Sequence, residues 1–302
     1  MDDRLQERAQ RGTVLYPLEL YQMTNGGKRM FVPYHWHREI ELIFVSMGSL
    51  VLTVDDEKFS AGPGDVFWVG QERLHGILTA KEETRYCALL FPMEFLSFEM
   101  FDYAQGHYLN PLCRKEKQFP VQIPRGGFYG ELWHELREIT AQDQKRAQGY
   151  QFAIKAALLK LISLLVQAGL LLPYGGKGEA SDFKVQNLKA ILSYIQRHYA
   201  EKLELADMAR EFHLSPKYFS RYFKQNLDRP FVAYRNGYRI KRAAELLLSA
   251  ELPVGEVALA VGFDNFSYFI RQFKAFYGCT PSHYRKKEQA PSGHQHAPLF
   301  PG

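Results

Sequence analysis

Two segments of the chain, fifty residues apart, carry arginine and lysine at matching positions. Phe219-Ser-Arg-Tyr-Phe-Lys224 resembles Phe269-Ile-Arg-Gln-Phe-Lys274. Arginine can grip guanine through two hydrogen bonds, and lysine can neutralise a backbone phosphate. If both segments are helical, one face of the first helix displays Lys217, Ser220, Arg221 and Lys224. The matching face of the second helix displays Ser267, Ile270, Arg271 and Lys274. The pattern predicts that both faces enter the major groove of duplex DNA.

A repeated unit must position these two faces. Each copy is predicted to be a short helix, a tight turn and a longer helix, which is the helix-turn-helix layout. The inward faces of the longer helices are Phe219, Phe223 and Leu227, and Phe269, Phe273 and Tyr277. A solvated helix face is the alternative, and it would be favoured for one such helix. Two copies at matched positions favour DNA binding.

A long helix over about Phe231–Ser249 is predicted between the two units. A continuous helix would hold them so that both reach successive major grooves, ~34 Å apart.

Residues 183–287 resemble the DNA-binding domain of the AraC/XylS family of bacterial transcription regulators. The resemblance rests on the run from Ala258 to Lys274, on Gly278-Cys-Thr280-Pro281 and on Tyr284-Arg285. It implies two helix-turn-helix units joined by a linker helix. It also implies double-stranded DNA as a partner, and RNA polymerase as a second partner if the protein is an activator.

A second resemblance lies nearer the start of the chain. The segment Pro33-Tyr34-His35-Trp36-His37, then Glu41, Gly48, Gly62-Pro63-Gly64-Asp65 and His75, is similar to the two sequence motifs of cupins. In enzymatic cupins the equivalents of His35, His37, Glu41 and His75 hold a metal, and imidazoles with one carboxylate suit Fe, Mn, Ni or Zn. In sensor cupins the same pocket holds a small effector.

We therefore predict an effector pocket at His35, Trp36, His37, Glu41 and His75, and no cofactor. A divalent metal held by His35, His37, Glu41 and His75 is the alternative. The aromatic residues Tyr34, Trp36, Phe67 and Trp68 fit a pocket that stacks on a sugar ring or an aromatic ligand, although alternation alone places such residues more often in the core.

The two halves of the chain differ in charge. Residues 183–302 hold 18 Lys and Arg against 10 Asp and Glu, whereas residues 1–182 hold 20 against 23. A basic second half suits a nucleic-acid binder joined to a sensor. The three scattered cysteines argue against a disulfide framework and a structural zinc site. With no signal peptide and no confident membrane span, the sequence predicts a cytoplasmic protein without a membrane partner.

Short alternating segments in the first half predict a small antiparallel barrel or sandwich. The predicted strands are Ile40–Val45, Ser49–Val54, Asp65–Val69 and Arg85–Phe91. A hairpin turn at Asp55-Asp56-Glu57 is predicted to join Leu50–Val54 to Lys58–Ala61. Two helices are predicted next, over about Tyr129–Gln142 and about Gln151–Leu172. The apolar stripe of the second helix, which includes Leu158 and Leu165, either covers the barrel or forms a dimer interface.

Together these patterns predict an α+β protein of two domains. A cupin-like antiparallel β-barrel with trailing helices would span 1–173 and would bind the effector and dimerise. A linker at 174–182, an all-α domain with two helix-turn-helix units at 183–287 and a disordered tail at 288–302 would follow.

The predicted function is a homodimeric, sequence-specific DNA-binding regulator that responds to a small molecule, a carbohydrate or related metabolite, and is not an enzyme. The alternative is a metal-dependent cupin enzyme, a dioxygenase or isomerase, fused to a DNA-binding domain.

Overall fold

The computed structural model describes residues 11–175, 179–227, 229–249 and 252–289. Its first part consists of two packed antiparallel sheets followed by two long helices, and its second part is helical. The predicted α+β class with two domains is therefore confirmed.

Eight strands build the two four-stranded sheets. Their hydrogen-bonded orders are β1-β8-β3-β6 and β2-β7-β4-β5. The strands are β1 (Glu19–Thr24), β2 (Phe31–His35), β3 (Ile40–Met47), β4 (Leu50–Val54), β5 (Glu57–Ala61), β6 (Val66–Val69), β7 (His75–Thr79) and β8 (Arg85–Phe91). The four predicted strands are confirmed, as β3, β4, β6 and β8. The space between the sheets is filled by aliphatic side chains, among them Ile43, Leu52, Val54 and Ile77.

The turn between β3 and β4 requires glycine. Gly48 has a φ of +73°, and a Cβ atom at this position would lie 2.3 Å from the carbonyl oxygen of Glu83. Only glycine reaches this backbone conformation without strain, and only glycine leaves room for the neighbouring chain. The turn therefore carries the chain from β3 in one sheet to β4 in the other.

Residues 92–128 connect the barrel to the two long helices that follow it. They contain a 3₁₀ turn, a π-helical turn, a four-residue helix and a short strand that pairs with a strand after the barrel. The bounds are Met93–Leu96 for the 3₁₀ turn, Gln105–Leu109 for the π turn, Asn110–Cys113 for α1, Lys117–Gln118 for β9 and Leu172–Pro173 for β10.

Two antiparallel helices, α2 (Tyr129–Lys145) and α3 (Tyr150–Gln167), cover the outer face of the β1-β8-β3-β6 sheet. The apolar stripe of α3 is buried in the same core as Leu42, Phe44 and Leu89 of that sheet. The prediction that Leu158 and Leu165 form a dimer interface is wrong, because their exposed fractions are only 1% and 2%. The helix also ends at Gln167 rather than near Leu172. Homodimerisation stays a prediction.

By length and composition α3 could cross a bilayer, with a mean hydropathy of 1.3. Its apolar face packs within the fold, as in the core helix of a globular domain.

We expect Leu158→Ala to lower the free energy of unfolding by about 2–5 kcal/mol, because it removes buried methyl groups and leaves a cavity. Urea denaturation followed by circular dichroism measures this loss. The matched control is Phe152→Ala on the same helix, where the side chain is 85% exposed; we expect a change of less than about 0.5 kcal/mol. Dissociation of a dimer by Leu158→Ala without loss of stability would contradict the core assignment.

The second part contains seven helices within the described residues. They are α4 (Glu179–His198), α5 (Leu205–Glu211), α6 (Pro216–Leu227), α7 (Phe231–Ser249), α8 (Val254–Ala260), α9 (Phe266–Tyr277) and α10 (Pro281–Gln289). The predicted long helix between the two units is confirmed as α7. The predicted linker at 174–182 is too long, because α4 begins at Glu179; residues 176–178 lie outside the described residues. The predicted tail overlaps the end of α10, and residues 290–302 also lie outside.

Candidate DNA interface and effector site

The predicted DNA-reading faces lie on α6 and α9, the second helices of the two units. On α6, Lys217, Ser220, Arg221 and Lys224 are all exposed, and Phe219, Phe223 and Leu227 are buried on the opposite side. On α9, Ser267, Arg271 and Lys274 are exposed, and Phe269 and Phe273 are buried. Both helices therefore present a cationic face to solvent.

Ile270 differs from this pattern. Its side chain is half-buried and packs against the apolar core of the second unit, beside the aromatic rings that fill it. The prediction that Ile270 lies fully on the outer face is therefore wrong in part. The spacing of a helix left it at the border of the two faces, and the core of the second unit extends to cover it.

Matching contacts orient the central arginine of each face. The guanidinium of Arg221 lies 5.6 Å from the ring centroid of Tyr218, and that of Arg271 lies 5.2 Å from the ring centroid of Tyr268. A guanidinium above an aromatic face is held by cation–π attraction. Both arginines are thus presented in the same way, three residues after a tyrosine, which the sequence repeat did not show.

The turns before α6 and α9 also match. His213 has a φ of +53° and Gly262 a φ of +87°, so each first helix ends in a left-handed residue. The Asn265 side chain accepts a hydrogen bond of 2.8 Å from the backbone N–H of Tyr268 and caps α9. Ser215 caps α6 more weakly, at 3.2 Å from the N–H of Tyr218. The two units have the same local design.

A buried arginine that sequence reasoning missed joins the two units. Arg239 on α7 donates to the carbonyl oxygens of Tyr199 at 2.5 Å, Gly262 at 2.5 Å and Glu201 at 2.7 Å. Burial lowers the pKa of Arg239 to about 10. Tyr199 and Glu201 follow α4, whereas Gly262 belongs to the turn of the second unit. Arg239 therefore connects the linker helix to both parts of the domain.

The four predicted polar residues of the barrel come together. His35 ends β2, His37 follows it, Glu41 lies on β3 and His75 begins β7. Their ligand-type atoms all lie within 4.8 Å of one another, and all but His35 are buried. His35 pairs with His75 across β2 and β7, which brings segments forty residues apart to one point.

The three histidine rings are each held by the same kind of hydrogen bond. The Nδ1 atoms of His35, His37 and His75 lie 2.9, 3.1 and 2.8 Å from the backbone carbonyl oxygens of Pro33, Glu39 and Arg73. A carbonyl oxygen only accepts, so each Nδ1 must carry the proton and donate it. Each Nε2 atom is thereby left to face the site, where it can bind a metal through its lone pair or, when protonated, donate to a carboxylate.

Glu41 lies at the centre of this group. One of its carboxylate oxygens is 2.8 Å from Nε2 of His75 and 3.1 Å from Nε2 of His37. Burial alone would raise the pKa of Glu41, but the two imidazoles outweigh it and hold the pKa well below its usual range. The buried Tyr86 lies nearby; burial, and then the charge of Glu41, raise its pKa. Sequence reasoning did not find Tyr86.

The aromatic residues predicted for the pocket have a different role. Trp36 and Tyr34 are each 4% exposed and belong to an apolar cluster with helices of the second domain. Trp68 packs under α2 and α3, and Phe67 packs among the aliphatic side chains between the sheets. The prediction that Trp36 lines the effector pocket is wrong, since its neighbours His35 and His37 face the opposite way. A stacking platform for a sugar is not built from these rings.

A buried donor cluster in a small barrel and two cationic helix-turn-helix faces define a class: a DNA-binding regulator with a ligand-binding domain. Comparison with known proteins agrees with this class. The model of the AraC-like ligand binding domain matches residues 24–162, and that of a helix-turn-helix domain matches residues 208–287. The chain belongs to the AraC family of transcriptional regulators.

Individual relatives extend over different shares of the chain. The HTH-type transcriptional regulator YdeC of Bacillus subtilis is 29% identical over 95% of this chain and 97% of its own. The regulatory protein PocR of Salmonella typhimurium is 37% identical over 52% of this chain and 54% of its own. The C-terminal domain of the response regulator yesN from Fusobacterium nucleatum is 36% identical over 33% of this chain and 98% of its own, with a TM-score of 0.32.

Proposed function

We propose that this regulator reads its operator through α6 and α9 and changes its operator affinity when a small molecule occupies the site at His35, His37, Glu41 and His75. The observation that supports the proposal is the convergent set of three imidazoles and one carboxylate, all of which are buried except His35. Polar groups of this kind are costly to bury and are typical of binding sites. The proposal also comprises a cytoplasmic homodimer, with RNA polymerase as a partner if the regulator is an activator.

The effector class remains the one the sequence suggested, a carbohydrate or related polar metabolite. Imidazole N–H groups and a carboxylate recognise hydroxyl groups through hydrogen bonds. A thermal-shift screen of monosaccharides and sugar acids tests this class, since a ligand that binds only the native state raises its melting temperature. A hit that His37→Ala abolishes would support the site. A hit that His37→Ala retains would move the effector elsewhere.

A second candidate occupant is a divalent metal ion. The observation that favours it is the shared hydrogen bonding of the three histidines, whose Nδ1 atoms all donate to backbone carbonyls. Such contacts leave the Nε2 atoms as metal ligands and fix the rings. The residues therefore fit a metal: His35, His37, His75 and Glu41 would hold it. When bound it would supply a positive charge that binds the oxygen atoms of a small effector.

We expect the wild-type protein to bind close to one equivalent of Zn²⁺ or Mn²⁺ in equilibrium dialysis, and His75→Ala to reduce the affinity at least about tenfold. The matched control is His107→Ala, which changes a histidine outside the cluster. Equal binding by wild type, His75→Ala and His107→Ala would contradict the metal candidate while leaving the effector proposal in place.

A measurement of substrate turnover distinguishes the enzyme alternative from this proposal. We propose that the site binds and does not catalyse, since its relatives are named as transcription regulators. Consumption of a hit from the carbohydrate screen by the metal-loaded protein would favour the enzyme.

A further inference from the structure

The barrel and the first helix-turn-helix unit share one apolar cluster. The barrel contributes Phe31, Tyr34, Trp36 and Leu74, and each is buried. From the second domain come Leu188, Ile191, Leu192, Ile195, Leu203, Met208, Ala209, Phe219, Phe223, Leu227, Phe231 and Tyr234. Removing this apolar surface from water stabilises the contact between the two domains. Phe219 and Phe223 lie directly behind the cationic face of α6.

Direct contacts reinforce the shared cluster at the end of α6 and the start of α7. The ring of Phe31 lies 5.6 Å from that of Tyr234, edge to face, and 3.8 Å from the guanidinium of Arg229. The hydroxyl of Tyr34 donates to the carbonyl oxygen of Asn226 at 3.4 Å. The barrel therefore contacts the first DNA-reading helix through β2.

The residues that make this contact alternate along the chain with the histidines of the site. Tyr34 precedes His35, Trp36 lies between His35 and His37, and Leu74 precedes His75. Successive side chains of an extended segment point to opposite faces. The site and the docking surface are thus two faces of the same backbone, so that a displacement of a histidine moves a docking residue.

A second link runs from the site to α4. The Nζ atom of Lys189 donates to the carbonyl oxygen of Glu72 at 3.2 Å and lies 5.7 Å from the ring centroid of Trp36. Lys189 is half-buried, and burial lowers its pKa. Through these two contacts Lys189 joins α4 to Glu72, in the segment before His75, and to Trp36, which lies between His35 and His37.

The second unit has a separate core. Ile240, Ala244, Val257, Phe269 and Phe273 belong to it, and within the described residues no barrel side chain is among its buried members. The apolar contact with the barrel is therefore made mainly by the first unit; from the second unit, Phe276 at the end of α9 packs against the edge of the shared cluster.

We propose that the outer face of β2 and β7 is a docking surface for the first helix-turn-helix unit, and that the state of the His–Glu site sets how firmly this unit is held. Trp36, Tyr34 and Leu74 are positioning residues that connect the site with α6. The inference rests on the proposed function of the site and adds the route by which occupancy reaches DNA: it acts more strongly on α6, whose buried face belongs to the shared cluster, than on the second unit.

Hydrogen–deuterium exchange of the full chain tests this route. Glu41→Gln removes the charge that holds His37 and His75, so we expect amides of α6 to exchange about tenfold faster, within the usual range of coupling between sites. Amides of α8, in the second unit, serve as the internal control and should keep their rates. Excess Zn²⁺, the probe of the site, should slow exchange in α6 of the wild type.

Trp36→Leu keeps an apolar side chain but removes the indole ring that contacts the second domain between His35 and His37. We expect it to speed exchange in α6, and Glu41→Gln should add little in the double variant, because both changes act through one contact. If Trp36→Leu fails to fold, Lys189→Ala tests the contact from the side of α4, with the exposed Lys160→Ala on α3 as its matched control.

Two results would overturn the proposal: equal effects of Glu41→Gln on α6 and α8, or additive effects of Glu41→Gln with Trp36→Leu or with Lys189→Ala. The metal candidate fails separately. Dialysis could show no Zn²⁺ binding while Glu41→Gln still changes exchange in α6. That result would contradict the metal candidate and support the docking proposal. If Zn²⁺ binds but neither Zn²⁺ nor Glu41→Gln changes α6, the docking proposal falls.

Discussion

Arg239→Met is expected to lower the free energy of unfolding of the second domain by about 3 kcal/mol. The guanidinium donates to three backbone carbonyls, and methionine leaves these buried acceptors without a donor. Hydrogen bonds from a charged group contribute about 1.5–3 kcal/mol each, and relaxation recovers part of the sum. Urea denaturation measures the loss.

The matched control is Arg242→Met, one turn further along α7. Arg242 pairs with Glu245 at the surface, where an ion pair contributes about 0–1 kcal/mol. Because Arg239 also connects the turn of the second unit with the end of α4, we expect Arg239→Met to weaken binding to a complete operator more than to either half-site alone. Equal losses of stability in the two variants would show that Arg239 does not hold the units together.

Arg221→Ala and Arg271→Ala should each cost about 1–3 kcal/mol of operator binding, a loss of roughly ten- to a hundredfold, and relax specificity at one base position. The matched cation–π contacts with Tyr218 and Tyr268 present both guanidinium groups in the same way. Fluorescence anisotropy with the operator and with single-base variants of it measures both effects.

Lys224→Ala should weaken binding to all sequences alike and reduce the salt slope by about one, as expected of a phosphate contact. Arg210→Ala on α5 is the control, an exposed arginine paired with Asp207 and outside the reading face. Equal losses on operator and random DNA for Arg221→Ala and Arg271→Ala would show that these arginines contact only the backbone.

Much of the second domain could be predicted because its repeat is local. Helical spacing predicts the buried positions of Phe219 and Phe223 in the first unit, and of Phe269 and Phe273 in the second. The same spacing places Arg221 and Arg271 on the opposite, exposed faces. The turn residues His213 and Gly262 occupy matching positions. Ile270 lies at the border of its face, where spacing alone does not decide burial.

In the first domain the sequence identified the members of the site but not all of its strands. β1, β2 and β7 were missed, since their apolar residues do not alternate cleanly. The pairing of β2 with β7 shifts register between Val32 and His35. This irregularity places Phe31 and Tyr34 on one face although they are three residues apart, which a strict alternation does not predict.

The sequence by itself determined the fold class, the two cationic helix faces and the four polar residues of the barrel, because each depends on residue type and short-range spacing. Tertiary structure alone decided what covers each apolar face. The stripe of α3 packs on the barrel, Trp36 packs on the first helix-turn-helix unit and Arg239 finds three carbonyls from distant segments. Periodicity shows which side of an element avoids water, but burial is equally favourable against any apolar partner, so the partner is fixed only when the whole chain packs.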